Sequence, residues 1–188
     1  MAEVILFHHA LGLTDGCRAF ADQLRAAGHV VHLPDLFDGR TFATVTEGVA
    51  HAEEIGFGTV IERGRAAAEH LPDEMVYAGF SLGVMPAQML AQTQPGAKAA
   101  ILLHSTVPPS EFGEGWPAGV PVQVHTMEDD EWGDVDVARQ LDDDVADAEV
   151  FFYPGDRHLF TDDSHDDYDP DSAALVMRRV LEFLGRVG

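Results

Sequence analysis

Hydrophobic positions in this chain form short apolar runs that alternate with longer segments of helical periodicity. The runs are four to five residues long and are not interrupted by charged side chains in their interiors. Uninterrupted runs of this kind are typical of strands buried on both faces of a parallel sheet. They predict strands at residues 4–7, 30–33, 75–78, 99–103, 120–124 and 149–153.

Apolar residues spaced three and four positions apart predict helices between these strands. The first helix starts at Thr14 or Asp15, either of which can cap it, and ends before Gly28. Further helices are predicted at residues 47–71 (with a break near residues 56–58), 84–92, 135–141 and 171–187. Because strands and helices alternate throughout, we expect one α/β domain over residues 1–188. It should contain about six mostly parallel strands with helices on both faces.

The composition limits which classes of molecule the chain is expected to bind. The 33 acidic and 11 basic side chains give a net charge of −22, which should repel nucleic acid and anionic membranes. No apolar run is long enough to span a bilayer, and residues 1–4 lack the basic region of a signal peptide. The single cysteine, Cys17, cannot form an internal disulfide, which fits a reducing compartment. We expect a cytoplasmic protein, either a monomer or a homodimer, whose partner is a small molecule.

The most informative motif is Gly79-Phe80-Ser81-Leu82-Gly83, between the apolar run 75–78 and a helical segment. A G-x-S-x-G sequence between a strand and a helix is typical of a nucleophile elbow. Its turn is so tight that side chains beside the serine would clash, so glycine is needed at both ends. Ser81 is therefore the candidate nucleophile. The alternative is a serine that only caps the helix.

Candidate base and acid residues follow the later strands, whose carboxyl ends meet at one edge of a parallel sheet. His158 follows the last strand and can take the proton of a serine hydroxyl. Carboxylates crowd the loop after the fifth strand, where Asp130 is favoured as the acid and Asp129 and Asp134 are alternatives. The acid would hold the imidazole in the correct tautomer. The order serine, acid, histidine is that of the α/β-hydrolases.

An oxyanion hole for such a serine needs two backbone donors. One is the N–H of Leu82, and the other is expected from the loop after the first strand, at Ala10 or next at Leu11. The adjacent His8 and His9 should point in different directions and have no third ligand at a suitable spacing, so we expect no metal and no cofactor. Candidate pocket-lining residues are His9, Leu11, Phe37, Phe80, His104 and Trp132.

With these residues placed, the chain resembles the dienelactone hydrolase family of α/β-hydrolases over nearly its whole length. The matching segments are residues 8–14, 34–40, 79–83, 120–122 and 158–160, followed by the Tyr-Asp pair at 168–169. The resemblance implies hydrolysis of esters or lactones without a cofactor, by a nucleophile at position 81, an acid at 130 and a base at 158. Two positions depart from the family pattern. The lactonases have a cysteine in place of Ser81 and a glutamate in place of His9.

We therefore expect a serine hydrolase that cleaves a small carboxylic ester, thioester or lactone through an acyl-enzyme. The chain leaves no room for a large lid, which predicts an open site and small substrates. The competing hypothesis is a catalytically degenerate hydrolase that acts as a binding module, because His9 and the crowded acids are unusual. A metal-dependent role for the acidic loop 162–167 is weaker, since that loop lacks the glycine and terminal glutamate of an EF-hand.

Overall fold

A computed structural model describes all residues, Met1–Gly188, and contains one six-stranded sheet in the order β2-β1-β3-β4-β5-β6. Every neighbouring pair of strands is parallel. The predicted α/β-hydrolase architecture is therefore confirmed. The strands are β1 Glu3–Phe7, β2 Val30–His32, β3 Val76–Phe80, β4 Ala99–Leu103, β5 Val122–Met127 and β6 Ala148–Tyr153.

Helices cover both faces of the sheet. They are α1 Asp15–Ala26, α2 Val45–Ile55, α3 Phe57–Ala68, α4 Val84–Thr93, α5 Val135–Asp144 and α6 Pro170–Val187, with short 3-10 turns at Ser81–Gly83 and Pro109–Glu111. Two separate apolar clusters lie between helices and sheet: one joins the sheet to α1 and α6, and the other joins it to α2, α3, α4 and α5. No helix combines the length and the apolar character needed to cross a membrane.

Local capping explains where several helices begin and end. Of the two predicted caps of α1, Thr14 is the N-cap, and its side chain accepts a hydrogen bond from the Cys17 N–H. The second helix begins earlier than expected because Thr44 and Glu47 form a reciprocal capping box. The predicted break between α2 and α3 falls at Gly56, whose φ of +86° is a conformation that favours glycine.

One detail of the predicted pattern is wrong. The fifth strand runs over Val122–Met127 rather than 120–124, so the acidic loop starts directly at its carboxyl end. On α6, the buried residues are Val176, Met177, Val180, Phe183 and Leu184, and the half-buried Leu175 and Leu181 pack against the same apolar cluster.

Candidate functional site

Ser81 lies at a strained turn between β3 and α4. Its φ of +47° is in the left-handed region, which is uncommon for residues other than glycine. A Cβ at Gly79 would overlap the Gly83 carbonyl, and a Cβ at Gly83 would overlap the carbonyl oxygens of Phe7 and His8. Both flanking glycines are therefore required by close backbone contact. The turn presents the Ser81 hydroxyl at the carboxyl end of the sheet, as a nucleophile elbow does.

A continuous hydrogen-bonded chain links Ser81, His158 and Asp130. The Ser81 Oγ is 2.6 Å from His158 Nε2, and His158 Nδ1 is 2.7 Å from Asp130 Oδ2. His158 and Asp130 are only 4% and 5% exposed. With the ring proton on Nδ1 donated to the carboxylate, Nε2 is free to accept the serine proton. The arrangement can perform nucleophilic acyl transfer.

Of the three carboxylates proposed as the acid, only Asp130 contacts His158. Its second oxygen accepts a hydrogen bond from the Trp132 N–H at 2.9 Å, which fixes the orientation of the carboxylate. Asp129 is exposed, and the Asp134 carboxylate accepts instead from the Ser105 hydroxyl at 2.8 Å. The three acids are close in sequence, but the backbone of this loop points them in different directions.

The two candidate donors in the loop after β1 differ in their hydrogen bonding. The Leu11 N–H donates to His9 Nδ1 at 3.3 Å. The Ala10 N–H donates to no atom of the protein, although Ala10 is 1% exposed. Leu82 stands at the start of its 3-10 turn, where an N–H has no acceptor within the turn. A buried N–H without a partner is rare and costly. Leu82 and Ala10 thus offer the two free donors.

Five of the six candidate pocket residues are buried, and Trp132 is the exception at 45% exposed. Its indole ring lies 6.4 Å from the His158 ring. Behind the base, His104 stacks on Phe80 at 5.9 Å and lies 6.0 Å from His158. Burial, followed by repulsion from neighbouring imidazoles, holds the pKa of His104 well below its usual value, so this ring is neutral. Phe37 packs against His8 and His51.

A cavity of about 570 Å³ lies between the β4–β5 connection and α5, beside Trp116 and Leu141. Ser81, His158 and Asp130 do not line it, so the candidate site is defined by their hydrogen-bonded chain and not by this cavity.

Sequence reasoning did not predict the contacts of two residues close to His158 in the chain, Thr161 and Asp162. The Thr161 hydroxyl is 2.8 Å from His104 Nε2, and Asp162 Oδ2 is 2.7 Å from His9 Nε2. Both residues lie three and four positions after His158, so the available signal was a pair of polar residues close behind the candidate base in the sequence. Their partners lie at the ends of other strands and could not be assigned from sequence.

His9, Cys17 and Asp162 form the one group whose atoms could together approach a metal ion, since they lie within 4.8 Å of one another. Both Asp162 oxygens, however, already accept hydrogen bonds from His9, Thr14 and Ser164. Burial by itself would raise the pKa of Asp162, but these hydrogen bonds outweigh burial and keep that pKa well below its usual value. Burial lowers the pKa of His9, but the Cys17 and Asp162 side chains outweigh burial and raise it. The Leu11 N–H can donate to Nδ1 only while that nitrogen is unprotonated, so the hydrogen-bond geometry is that of the neutral ring with its proton on Nε2, toward Asp162.

Comparisons with known proteins agree with this fold. The family model for the dienelactone hydrolase family matches residues 1–188. A comparison with curated proteins finds no match. A dienelactone hydrolase-like promiscuous phosphotriesterase from metagenomic libraries superposes with a TM-score of 0.77 at 20% identity, covering 100% of this chain and 87% of that chain.

Two further solved structures are similar over most of both chains. A putative dienelactone hydrolase from Klebsiella pneumoniae has a TM-score of 0.75 at 20% identity, with 98% of this chain and 87% of that chain covered. A putative α/β-superfamily hydrolase from Xanthomonas campestris has a TM-score of 0.63 at 22% identity, with 99% of each chain covered. At these identities the structural likeness shows the shared fold. The match of the family model over the whole chain shows that this α/β-hydrolase belongs to the dienelactone hydrolase family.

Proposed function

We propose that the protein is a serine hydrolase that cleaves a small carboxylic ester, thioester or lactone through an acyl-enzyme. The observation that supports this most directly is the hydrogen-bonded chain from Ser81 through His158 to Asp130, with separations of 2.6 Å and 2.7 Å. Such a chain is the arrangement that turns a weakly nucleophilic hydroxyl into an effective one.

Acylation follows from this geometry. The Ser81 Oγ attacks the carbonyl carbon while its proton passes to His158 Nε2. The negative charge that develops on the carbonyl oxygen is stabilised by the N–H groups of Leu82 and Ala10. When the carbon–oxygen or carbon–sulfur bond to the leaving group breaks, His158 returns the proton to that group. Asp130 stabilises the imidazolium ion that exists between these two transfers.

Deacylation repeats the same steps with water as the nucleophile. The water gives its proton to His158 Nε2 as its oxygen attacks the acyl carbon, and the second tetrahedral intermediate uses the same two donors. Collapse of this intermediate releases the carboxylic acid and returns the proton from His158 to Ser81 Oγ. The protein supplies every proton transfer with its own groups, so the proposed reaction requires no cofactor.

The surroundings of Ser81 favour a plain serine mechanism over a cysteine-type activation. His9 stands where the lactonases have the glutamate that pairs with their nucleophile. Here its Nε2 is engaged by Asp162, and the only hydrogen-bond partner of the Ser81 hydroxyl is His158. The 2.6 Å contact between nucleophile and base also speaks against the binding-module hypothesis, which would be favoured by separated side chains.

Hydrolysis of p-nitrophenyl acetate by the wild type and by Ser81→Ala tests the proposal. Ser110→Ala is a matched control, because Ser110 is an exposed serine outside the site. We expect Ser81→Ala to lose the enzymatic rate and Ser110→Ala to keep it, and a fluorophosphonate probe should label Ser81. Equal rates in wild type and Ser81→Ala would refute the proposal, as would labelling at another serine.

A further inference from the structure

We propose that His9 and Asp162 act as a positioning pair that holds the Ala10 N–H in place as an oxyanion donor. Neither residue belongs to the chain that links Ser81, His158 and Asp130. The inference rests on the proposed function, because an oxyanion donor affects the rate only if acyl transfer takes place at Ser81. It gives a function to the buried pair His9 and Asp162, which takes no part in the proposed reaction steps.

The pair joins two loops that enter the site from different strands. His9 follows β1, whereas Asp162 lies four residues after His158 in the segment that follows β6. The His9 Nε2 and Asp162 Oδ2 are 2.7 Å apart, and the two side chains are 1% and 3% exposed. A hydrogen bond to a charged group is stronger in such a dry environment than at the surface. The contact therefore ties the donor loop to the loop that carries the base.

The opposite edge of the His9 ring supports the donor directly. In the neutral ring, whose proton is on Nε2, Nδ1 accepts the Leu11 N–H at 3.3 Å, so His9 fixes the backbone on both sides of Ala10. The His9 carbonyl accepts from the Gly12 N–H at 3.1 Å and lies 2.8 Å from His8 Nδ1. Because a trans peptide points its N–H away from its C=O, these bonds turn the Ala10 N–H to the other side. That N–H is left without any acceptor in the protein.

The Asp162 carboxylate is held in place by contacts other than the one with His9. Its Oδ2 also accepts from the Thr14 hydroxyl at 2.7 Å, and its Oδ1 accepts from the N–H and hydroxyl of Ser164 at 2.8 Å and 2.6 Å. A Cβ at Gly16 would overlap Oδ1, so the carboxylate lies against the first turn of α1. The N-terminus of a helix favours a negative charge at this place. Asp162 has no freedom to follow a displaced His9.

The expected effect is on the transition state rather than on substrate binding. The oxyanion exists only in the tetrahedral states, so a misplaced donor should lower kcat and leave KM nearly unchanged. Complete removal of one donor costs about 10²- to 10³-fold in kcat, so loss of its support should cost about 10- to 100-fold.

The test compares His9→Leu, His9→Gln and Asp162→Asn with the wild type. Leucine removes both ring contacts. The glutamine Nε2 can replace the ring Nε2 as the donor to Asp162, so His9→Gln should recover part of the rate. Asp163→Asn is the matched control, because this neighbouring carboxylate is exposed and carries the same charge. The measurements are kcat and KM for p-nitrophenyl acetate, melting temperature, and the Ki of an aryl trifluoromethyl ketone, which forms an oxyanion on the attacked serine.

We expect the Ki of the ketone to rise by the same factor as kcat falls in His9→Leu and Asp162→Asn, with Asp163→Asn unchanged. The double variant should lose no more than His9→Leu alone, because the two residues act as one unit. If Asp162→Asn fails to fold, the comparison of His9→Leu with His9→Gln carries the test. Unchanged kcat and Ki in His9→Leu, or equal losses in His9→Leu and His9→Gln, would overturn the positioning role.

The two proposals fail in different ways. If Ser81→Ala is as active as the wild type, the serine mechanism is wrong and the positioning role falls with it. If the activity depends on Ser81 but His9→Leu leaves kcat and Ki unchanged, only the positioning role is wrong.

Discussion

Replacing Asp130 with asparagine should abolish most activity while preserving the shape of the site. The Oδ1 atom accepts the Trp132 N–H at 2.9 Å, and Oδ2 accepts from His158 Nδ1 at 2.7 Å. An asparagine keeps its oxygen toward Trp132, because its NH2 group cannot accept that bond. The NH2 group then faces His158 and donates to Nδ1. This forces the ring proton onto Nε2, where the ring can no longer take the proton of Ser81.

The size of the loss follows from two contributions. If the asparagine amide rotates by 180°, the active tautomer is restored, but the part-buried Trp132 N–H then faces another donor, which costs about 1–3 kcal/mol. The neutral amide also stabilises the imidazolium less than the carboxylate does, by about 1.5–3 kcal/mol for a hydrogen bond to a charged group. Together these predict a fall in kcat of about 10²- to 10⁴-fold. KM should change little, because neither group contacts the ground-state substrate.

The assay is steady-state hydrolysis of p-nitrophenyl acetate at neutral pH, with Asp129→Asn and Asp134→Asn as matched controls. Each control removes one negative charge from the same loop, but neither side chain contacts His158 in the structure. The controls should keep the wild-type kcat, and all three variants should keep similar melting temperatures. A fully active Asp130→Asn, or a collapse of kcat in either control, would refute this assignment of the acid.

Further predictions concern stability, pH, substrate binding and metal dependence. Gly79→Ala should lower the free energy of unfolding by about 3 kcal/mol or prevent folding, because the new Cβ would overlap the Gly83 carbonyl. In the control Gly113→Ala the new Cβ meets open space, so the free energy of unfolding should not change. Urea unfolding measures the two variants against the wild type. Burial, followed by the charge of Arg179, lowers the pKa of His125 to about 3, so the native state does not bind the proton that this histidine takes up in the unfolded chain below about pH 6.5. The stability that the neutral His125 contributes is therefore fully present above pH 6.5 and is lost as the pH falls. Between pH 7 and pH 5 the free energy of unfolding of the wild type should fall by about 2 kcal/mol more than that of His125→Gln. Parallel plots of unfolding free energy against pH for the two proteins would contradict this. Trp132→Ala should raise KM more than it lowers kcat, because the exposed ring borders His158, and a change in kcat alone would argue against a binding role. Chelation with EDTA should leave activity and melting temperature unchanged, because both oxygens of Asp162 are already hydrogen-bonded; a lower melting temperature would contradict this.

The sequence predicts those residues of the candidate site that stand beside a recognisable local motif. The Gly79-Phe80-Ser81-Leu82-Gly83 turn, between an apolar run and a helix, indicates a candidate nucleophile because the glycine requirement is local and steric. His158 is predicted because it follows a glycine-containing turn after the last apolar run. Neither inference needed a contact between distant parts of the chain.

The acid and the second oxyanion donor could only be narrowed from sequence. Asp129, Asp130 and Asp134 are alike in composition and position, and the choice depends on which one the loop directs toward His158. Ala10 and Leu11 are distinguished only because His9 accepts the Leu11 N–H. The sequence presents Asp162 only as part of the acidic loop 162–167, because its partner His9 lies 153 residues away along the chain.

The amino-acid sequence by itself determined the alternation of strands and helices, the glycine-flanked elbow and the chain order of serine, acid and histidine. These depend on periodicity, on local steric limits and on the convergence of parallel strands at one edge of a sheet. The tertiary structure alone decided which carboxylate contacts the base, which backbone N–H remains free, and how His9 and Asp162 join the loops after β1 and β6. Such contacts depend on side-chain directions and loop paths, which are set when distant segments pack together.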